Sequence, residues 1–180
     1  PRQPEFQDTP RSDLILKVWD AQTGEKKLDL PLRGLRGSHF TMAFDPSSSR
    51  VAVLTSQPSE ISDDSAERAE LVVANLQTGK LGPIITFNDD SRQAAIGRLP
   101  PWSMVDIYGK LGFTPDGNTV IRVDGDTIRT WSAINMAPKR TIRCSAQAIV
   151  ASALSSAGRR VWVVEQTGRF RERDLEPHEP

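Results

Sequence analysis

The feature that most constrains this chain is a pair of turns set between short β-favouring runs. Val120-Ile121-Arg122-Val123 is β-branched at three of four positions, and Thr127-Ile128-Arg129-Thr130-Trp131 continues in the same style, so both runs favour a pleated backbone. Asp124-Gly125 between them is a hairpin signal, because such a turn needs positive φ and glycine supplies it without steric cost. Upstream, Phe113-Thr114-Pro115-Asp116-Gly117 reads as a second turn, with proline fixing φ. Two turns imply three consecutive antiparallel strands, near 106–113, 119–123 and 127–132.

The pattern recurs. Leu154-Ser155-Ser156-Ala157-Gly158 follows Phe113 to Gly117 by 41 residues, and Val161-Trp162-Val163-Val164 follows Val120 to Val123 by the same 41. Phe44-Asp45-Pro46 and Val51-Ala52-Val53-Leu54 precede their counterparts by 69. Leu16-Lys17-Val18-Trp19-Asp20-Ala21-Gln22-Thr23-Gly24 matches Leu71-Val72-Val73-Ala74-Asn75-Leu76-Gln77-Thr78-Gly79. A repeat of about 40–45 residues with four short strands per unit is the sequence sign of propeller blades.

Through Val18-Trp19-Asp20 with Thr23-Gly24, Phe113 to Gly117, and Asp124-Gly125-Asp126 leading to Trp131, the chain resembles the WD-repeat family of β-propellers over about residues 14–175. The resemblance implies an all-β fold of antiparallel four-stranded blades, and an interaction role. The motifs depart from the family pattern: Ala74-Asn75, Trp131-Ser132 and Arg173-Asp174 stand where Trp19-Asp20 stands in the first unit. Of the family's hydrogen-bonded lattice, Asp124 or Asp126 with Trp131 is the part this sequence could keep. Related quinoprotein-like propellers stay open.

The expected layout is a tail or linker over 1–13, a half blade over 14–32, a blade over 39–87, a blade over 105–143, a three-stranded blade over 146–175 and a tail over 176–180. That layout totals thirteen strands, about three and a quarter blades, where closed propellers use typically 4–8. The expectation is therefore a segment of a longer propeller, or one part of a ring built between chains. The 23 Lys and Arg balance 23 Asp and Glu, and nothing in that balance favours nucleic acid or an anionic membrane over protein partners. No apolar run reaches 18 residues, so no membrane span is expected. Cys144 is the lone cysteine, which suits a reducing, cytoplasmic setting, pairing between chains being the alternative.

The 39–87 unit exceeds the common spacing by two inserts. Residues 57–68 are acidic and Ser-rich, and read as a solvated loop; Asp63, Asp64 and Glu67 lack the ordered alternation and central glycine of a calcium loop. Residues 88–103 contain Arg98, Pro100, Pro101 and Trp102, a compact cluster suited to anchoring a protein partner, since Arg and Trp dominate interface hot spots and proline lowers the entropy lost on ordering. The competing reading is that Trp102 folds back as a lid on its own blade.

Catalytic chemistry finds little support. His39 and His178 are far apart, no nucleophile-elbow sequence accompanies them, and two histidines with one cysteine give no metal-ligand spacing. Asp63-Asp64 and Asp89-Asp90 fall in expected loops, where carboxylates are solvated. Asp106 is the one acid on an expected first strand. Trp19, Trp131 and Trp162 fall on expected strands and read as inter-blade packing, and Arg159-Arg160 with Arg169 to Arg173 reads as a charged edge. The reading is a non-catalytic scaffold or sensor within a larger intracellular protein, without cofactor or metal; self-association and an enzymatic propeller with its catalytic residues elsewhere are its alternatives.

Overall fold

The computed structural model describes residues 14–37, 39–57, 67–89, 110–124, 126–144, 149–155, 159–165 and 167–175. Among these there is no helix; every regular element is an antiparallel strand. The chain divides into two compact units, Pro1–Leu35 and Arg36–Pro180. In the first unit, β1 (Ile15–Trp19) and β2 (Lys26–Pro31) form a two-stranded sheet A.

The second unit holds three sheets. Sheet B contains β3 (His39–Phe44), β4 (Arg50–Gln57), β5 (Glu67–Asn75), β6 (Lys80–Leu81) and β7 (Ile85–Asp89). Sheet C is a meander of β8 (Lys110–Phe113), β9 (Thr119–Asp124), β10 (Thr127–Ser132) and β11 (Pro138–Arg143). Sheet D contains β12 (Ile149–Leu154), β13 (Arg160–Glu165) and β14 (Phe170–Asp174).

Short polar residues set the turns at equivalent places. After β1, β5 and β10 one side chain accepts backbone N–H from the turn it opens, which stands in for ladder bonds the turning chain cannot make. Asp20 Oδ1 accepts from Gln22 at 2.8 Å and Thr23 at 3.0 Å, and Asn75 Oδ1 from Gln77 at 3.0 Å and Thr78 at 2.9 Å. Ser132 Oγ accepts from the Ile134 N–H at 3.3 Å. Thus the three dissimilar dipeptides Trp19-Asp20, Ala74-Asn75 and Trp131-Ser132 do one local job. Each turn also needs a left-handed residue five positions into the motif: Gly24 (φ 71°), Gly79 (φ 67°) and, in sheet C, Met136 (φ 57°).

The sheets of the second unit pack face to face. Ala52, Leu54, Leu71 and Val73 of sheet B join Phe113, Val120, Trp131, Ala133 and Met136 of sheet C in one buried cluster. Ile121, Val123 and Ile128 of sheet C join Val161 and Val163 of sheet D in another, with Leu154 packed against it. Each fully buried Val, Leu or Ile contributes roughly 1.5–3 kcal/mol relative to exposure, so these faces dominate the unit's stability. Phe87 of β7 links B to C. Its ring stacks on Trp131 with centroids 5.4 Å apart, and the Arg122 and Arg129 guanidinium carbons lie 5.0 and 5.4 Å from its centroid.

Several boundaries differ from the sequence reading. Fourteen strands are found among the described residues, because the fourth strand of sheet B is broken. Ala74 pairs with Leu81 and Leu71 with Ile85, so Gly82-Pro83-Ile84 oppose only two residues of β5, and Pro83 has no N–H to donate. Gln57, Glu67, Arg68, Asn88 and Asp89, expected in the inserts, belong to strands. Asp124 belongs to β9 and pairs with Thr127, which shifts the turn by one residue from the expected Asp-Gly position. Trp131 is buried as an inter-sheet residue should be and Trp162 is half-buried, but Trp19 is 55% exposed. Leu16, on the opposite face of the same strand, is buried, so the exposure belongs to the face that carries Trp19 and not to the strand as a whole.

Met136 couples the two kinds of demand, since a strained backbone carries a side chain that is nearly fully buried. Met136→Gly relieves about 1 kcal/mol of left-handed strain and loses the larger packing contribution. The expected net effect is destabilisation by about 2 kcal/mol, read as a lower urea midpoint.

Candidate interaction surface

Sheet B is longer than its neighbour at one end, and the lengthening comes from its sequence inserts. By the repeat offsets, Thr55 matches Asp124 and Glu70 matches Thr127, where sheet C turns. In sheet B the ladder continues, with Ser56 paired to Ala69 and Gln57 to Arg68. Strand β7 follows the extension, pairing Asn88 with Arg68 and Asp89 with Glu67. Residues 58–66 and the segment beginning at 90 therefore leave from adjacent strands at the same end of one sheet.

Buried polar groups fix that end. The Glu70 carboxylate accepts the Arg36 N–H at 2.6 Å, and Arg68 Nη2 lies 3.5 Å from its other oxygen. The Thr55 hydroxyl donates to the Arg36 carbonyl at 2.7 Å. Gly37 follows at φ 145°, and a Cβ there would lie 2.6 Å from the Ser56 carbonyl oxygen, so position 37 of this strap fits only glycine. Buried Thr and Glu in a strand would be costly without partners, and here the strap supplies them.

A second anchor joins sheets B and C. Asp45 is buried and accepts the Arg50 N–H at 2.8 Å, the Ser47 hydroxyl at 2.8 Å, the Ser49 hydroxyl at 3.2 Å and Arg50 Nε at 3.2 Å. The Arg50 guanidinium then donates to the Gly117 carbonyl of sheet C at 2.7 Å and lies 5.9 Å from the Phe113 ring centroid. The Asp45 carboxyl is pushed up by its burial, but the Arg50 N–H, the Ser47 hydroxyl and the Arg50 guanidinium together hold it below the usual carboxylate range. Asp116, at the matching turn of sheet C, is also lowered, chiefly by the Thr114 hydroxyl and the Asn118 N–H.

The sequence candidates distribute unevenly. Arg98, Pro100, Pro101 and Trp102 lie outside the described residues, as do Asp63, Asp64, Asp90, Asp106 and His178. His39 opens β3 opposite Ser56. Asp126 accepts from the hydroxyl of its neighbour Thr127 at 2.8 Å, which gives it a local partner in place of the expected lattice with Trp131. Burial pushes the Cys144 thiol up, which opposes formation of the nucleophilic thiolate. Among the described residues, no three His, Cys, Asp or Glu side chains are grouped to hold a metal ion. The arginine-rich β13–β14 face is laced with acids: Arg160 meets Glu172 at 3.0 Å and Asp174 at 3.3 Å, and Arg171 meets Glu165 at 2.6 Å. Sequence reasoning missed the exposed stripe of Phe40, Met42 and Phe44 on β3, although its alternation was readable.

A solved structure of the Dos1 propeller aligns with this chain at a TM-score of 0.61, over 92% of this chain and 37% of that chain, with 12% identity. The fold is that of a β-propeller. At that identity the likeness concerns fold alone, and the chain spans well under two thirds of the solved propeller. No family model and no curated protein sequence matches the chain. No described helix is long and apolar enough to cross a membrane.

Asp45 also sets a pH dependence. Its carboxyl has a lower pKa in the folded chain than in the unfolded one, so it supports folding above the ordinary carboxylate value of about 4. That support is lost as pH falls through the lowered folded value. Asp45→Asn is expected to be less stable than the parent at pH 7 and to lose less further stability on acidification, checked by thermal melts between pH 7 and about 3.

Proposed function

We propose that this chain belongs to a non-catalytic, WD-repeat-like propeller that serves as a protein-interaction scaffold or sensor within a larger cytoplasmic signalling or effector protein. The observation that carries the reading is the common root of the two inserts. Gln57 pairs with Arg68, and Glu67 pairs with Asp89, so the two inserts are joined to neighbouring strands at one end of a packed and polar-braced sheet. A rigid sheet presenting variable loops is the usual arrangement of a recognition surface, because the scaffold bears the folding cost and the loops carry the contacts.

In this reading Arg98, Pro100, Pro101 and Trp102 supply the anchor, with Trp102 filling an apolar site on the partner and Arg98 pairing with its polar rim. The balanced net charge suits a protein partner better than a polyanion. The WD-repeat likeness rests on the turn-capping residues Asp20, Asn75 and Ser132 at equivalent positions, and 37% coverage of a solved propeller agrees with a chain that belongs to a longer one.

The test is a double substitution, Arg98→Ala with Trp102→Ala, in the full-length protein. Proteins retained by the parent, measured by quantitative mass spectrometry after affinity purification, are expected to fall about tenfold or more, the effect of losing at least ~1.4 kcal/mol of binding. The melting temperature is expected to stay unchanged. An unaltered set of partners would overturn the assignment of the insert as the anchor.

A further inference from the structure

The row that pairs Thr55 with Glu70 has an internal control. By the repeat offsets it matches the row that pairs Asp124 with Thr127, where sheet C turns and where the Thr127 hydroxyl finds its acceptor next door in Asp126. Sheet B does not turn there. It runs on through the Ser56–Ala69 and Gln57–Arg68 pairs, and β7 runs with it to Asp89. What sheet B has at that row is the peptide of Arg36. Its N–H donates to the Glu70 carboxylate at 2.6 Å and its carbonyl accepts the Thr55 hydroxyl at 2.7 Å, so one backbone segment satisfies both members of the row.

Thr55 and Glu70 are buried, so neither has solvent to turn to when that peptide moves away. Arg68 is a poor substitute, since its guanidinium lies 3.5 Å from the second Glu70 oxygen and its side chain is 57% exposed. A carboxylate left without the Arg36 N–H is stabilised again by letting water into the strand end, and the Ser56–Ala69 and Gln57–Arg68 pairs lie just beyond it. Arg36 itself is exposed and is the first residue of the second unit, so the brace is a surface segment at the point where the chain enters that unit.

We propose that Glu70, acting through the Arg36 peptide, is the positioning residue of the recognition surface: it holds the common root of the two inserts in register, and release of that peptide frees the root and weakens recognition of the protein partner. The proposal rests on the reading of the second insert as the anchor. Glu70 is buried and touches no partner; its influence passes along β5 to the pairs with Asn88 and Asp89, from which the second insert departs.

The experiment reads amide hydrogen exchange and partner retention together, on Glu70→Ala and Glu70→Gln in the full-length protein. Glu70→Ala is expected to speed exchange over residues 55–57 and 67–70 about tenfold or more and to lower partner retention about tenfold, with exchange in β9 and β10 of sheet C unchanged. Glu70→Gln keeps an oxygen that accepts the Arg36 N–H and is expected to restore both readouts. Thr55→Val removes the other bond to the same peptide; it is expected to speed exchange over the same residues about threefold, and it decides the matter where Glu70→Ala does not fold. Unchanged exchange at the root would overturn the proposal, and so would faster exchange there with partners fully retained. Faster exchange in sheet C as well would assign Glu70 a general structural role, and failure of Glu70→Gln to restore the readouts would assign the effect to the charge facing Arg68; either result overturns it. An unaltered partner set after the Arg98 and Trp102 substitutions removes the anchor and leaves the exchange response of the root as it was, so the two readings fail separately.

Discussion

The structure of the second unit depends on sheets that are apolar on both faces and must be covered by other sheets. Phe87 shows the constraint at its sharpest. It lies on the outermost strand of sheet B, yet its ring serves sheet C, lying against Trp131 and beneath the guanidinium groups of Arg122 and Arg129. Two cations close to one aromatic ring, in a setting where Arg122 is buried, make this contact electrostatically as well as sterically specific. A neighbouring sheet of another composition would have to satisfy both demands. The Asp45–Arg50–Gly117 connection repeats the idea in polar form, because a carboxylate of sheet B orients the arginine that reaches a carbonyl of sheet C.

Much of this architecture was legible because it is written in turns. Asp, Asn and Ser at positions 20, 75 and 132 share little as side chains, but each offers an oxygen to the N–H groups of the turn it opens. Their spacing therefore locates the strands even where the tryptophan before them is lost. The positions that resisted reading depend on distant contacts. Trp19 is exposed while Leu16 on the opposite face of the same strand is buried, and nothing in the residues around them encodes which face is covered. The sequence reading did not single out Gly82-Pro83, and whether such a pair ends a strand or only bulges it is decided by the partner strand.

The candidate surface was legible in a different sense. Broken spacing between repeats identified two inserts, while the strand register shows that they share a root, because β5 continues past the length of its counterpart and takes β7 with it. That lengthening depends on Glu70 and Thr55, polar residues on a buried face whose partners are the backbone of Arg36. A sequence pattern that scores only apolar alternation loses the strand at that point, although the strand itself goes on.

The outer strands carry one more consequence. Sheet B ends laterally on a strand interrupted by Pro83, and sheet C on β11, which begins with Pro138 and carries Lys139, Arg140 and Arg143. A proline without a donor and a row of cations make poor templates for an incoming strand. Fibrillar polymerisation by lateral β-addition is thereby discouraged at the rim, while stacking of sheet on sheet is left open. At these two edges the chain resists the strand-by-strand growth of an amyloid, while its blades can still stack face to face.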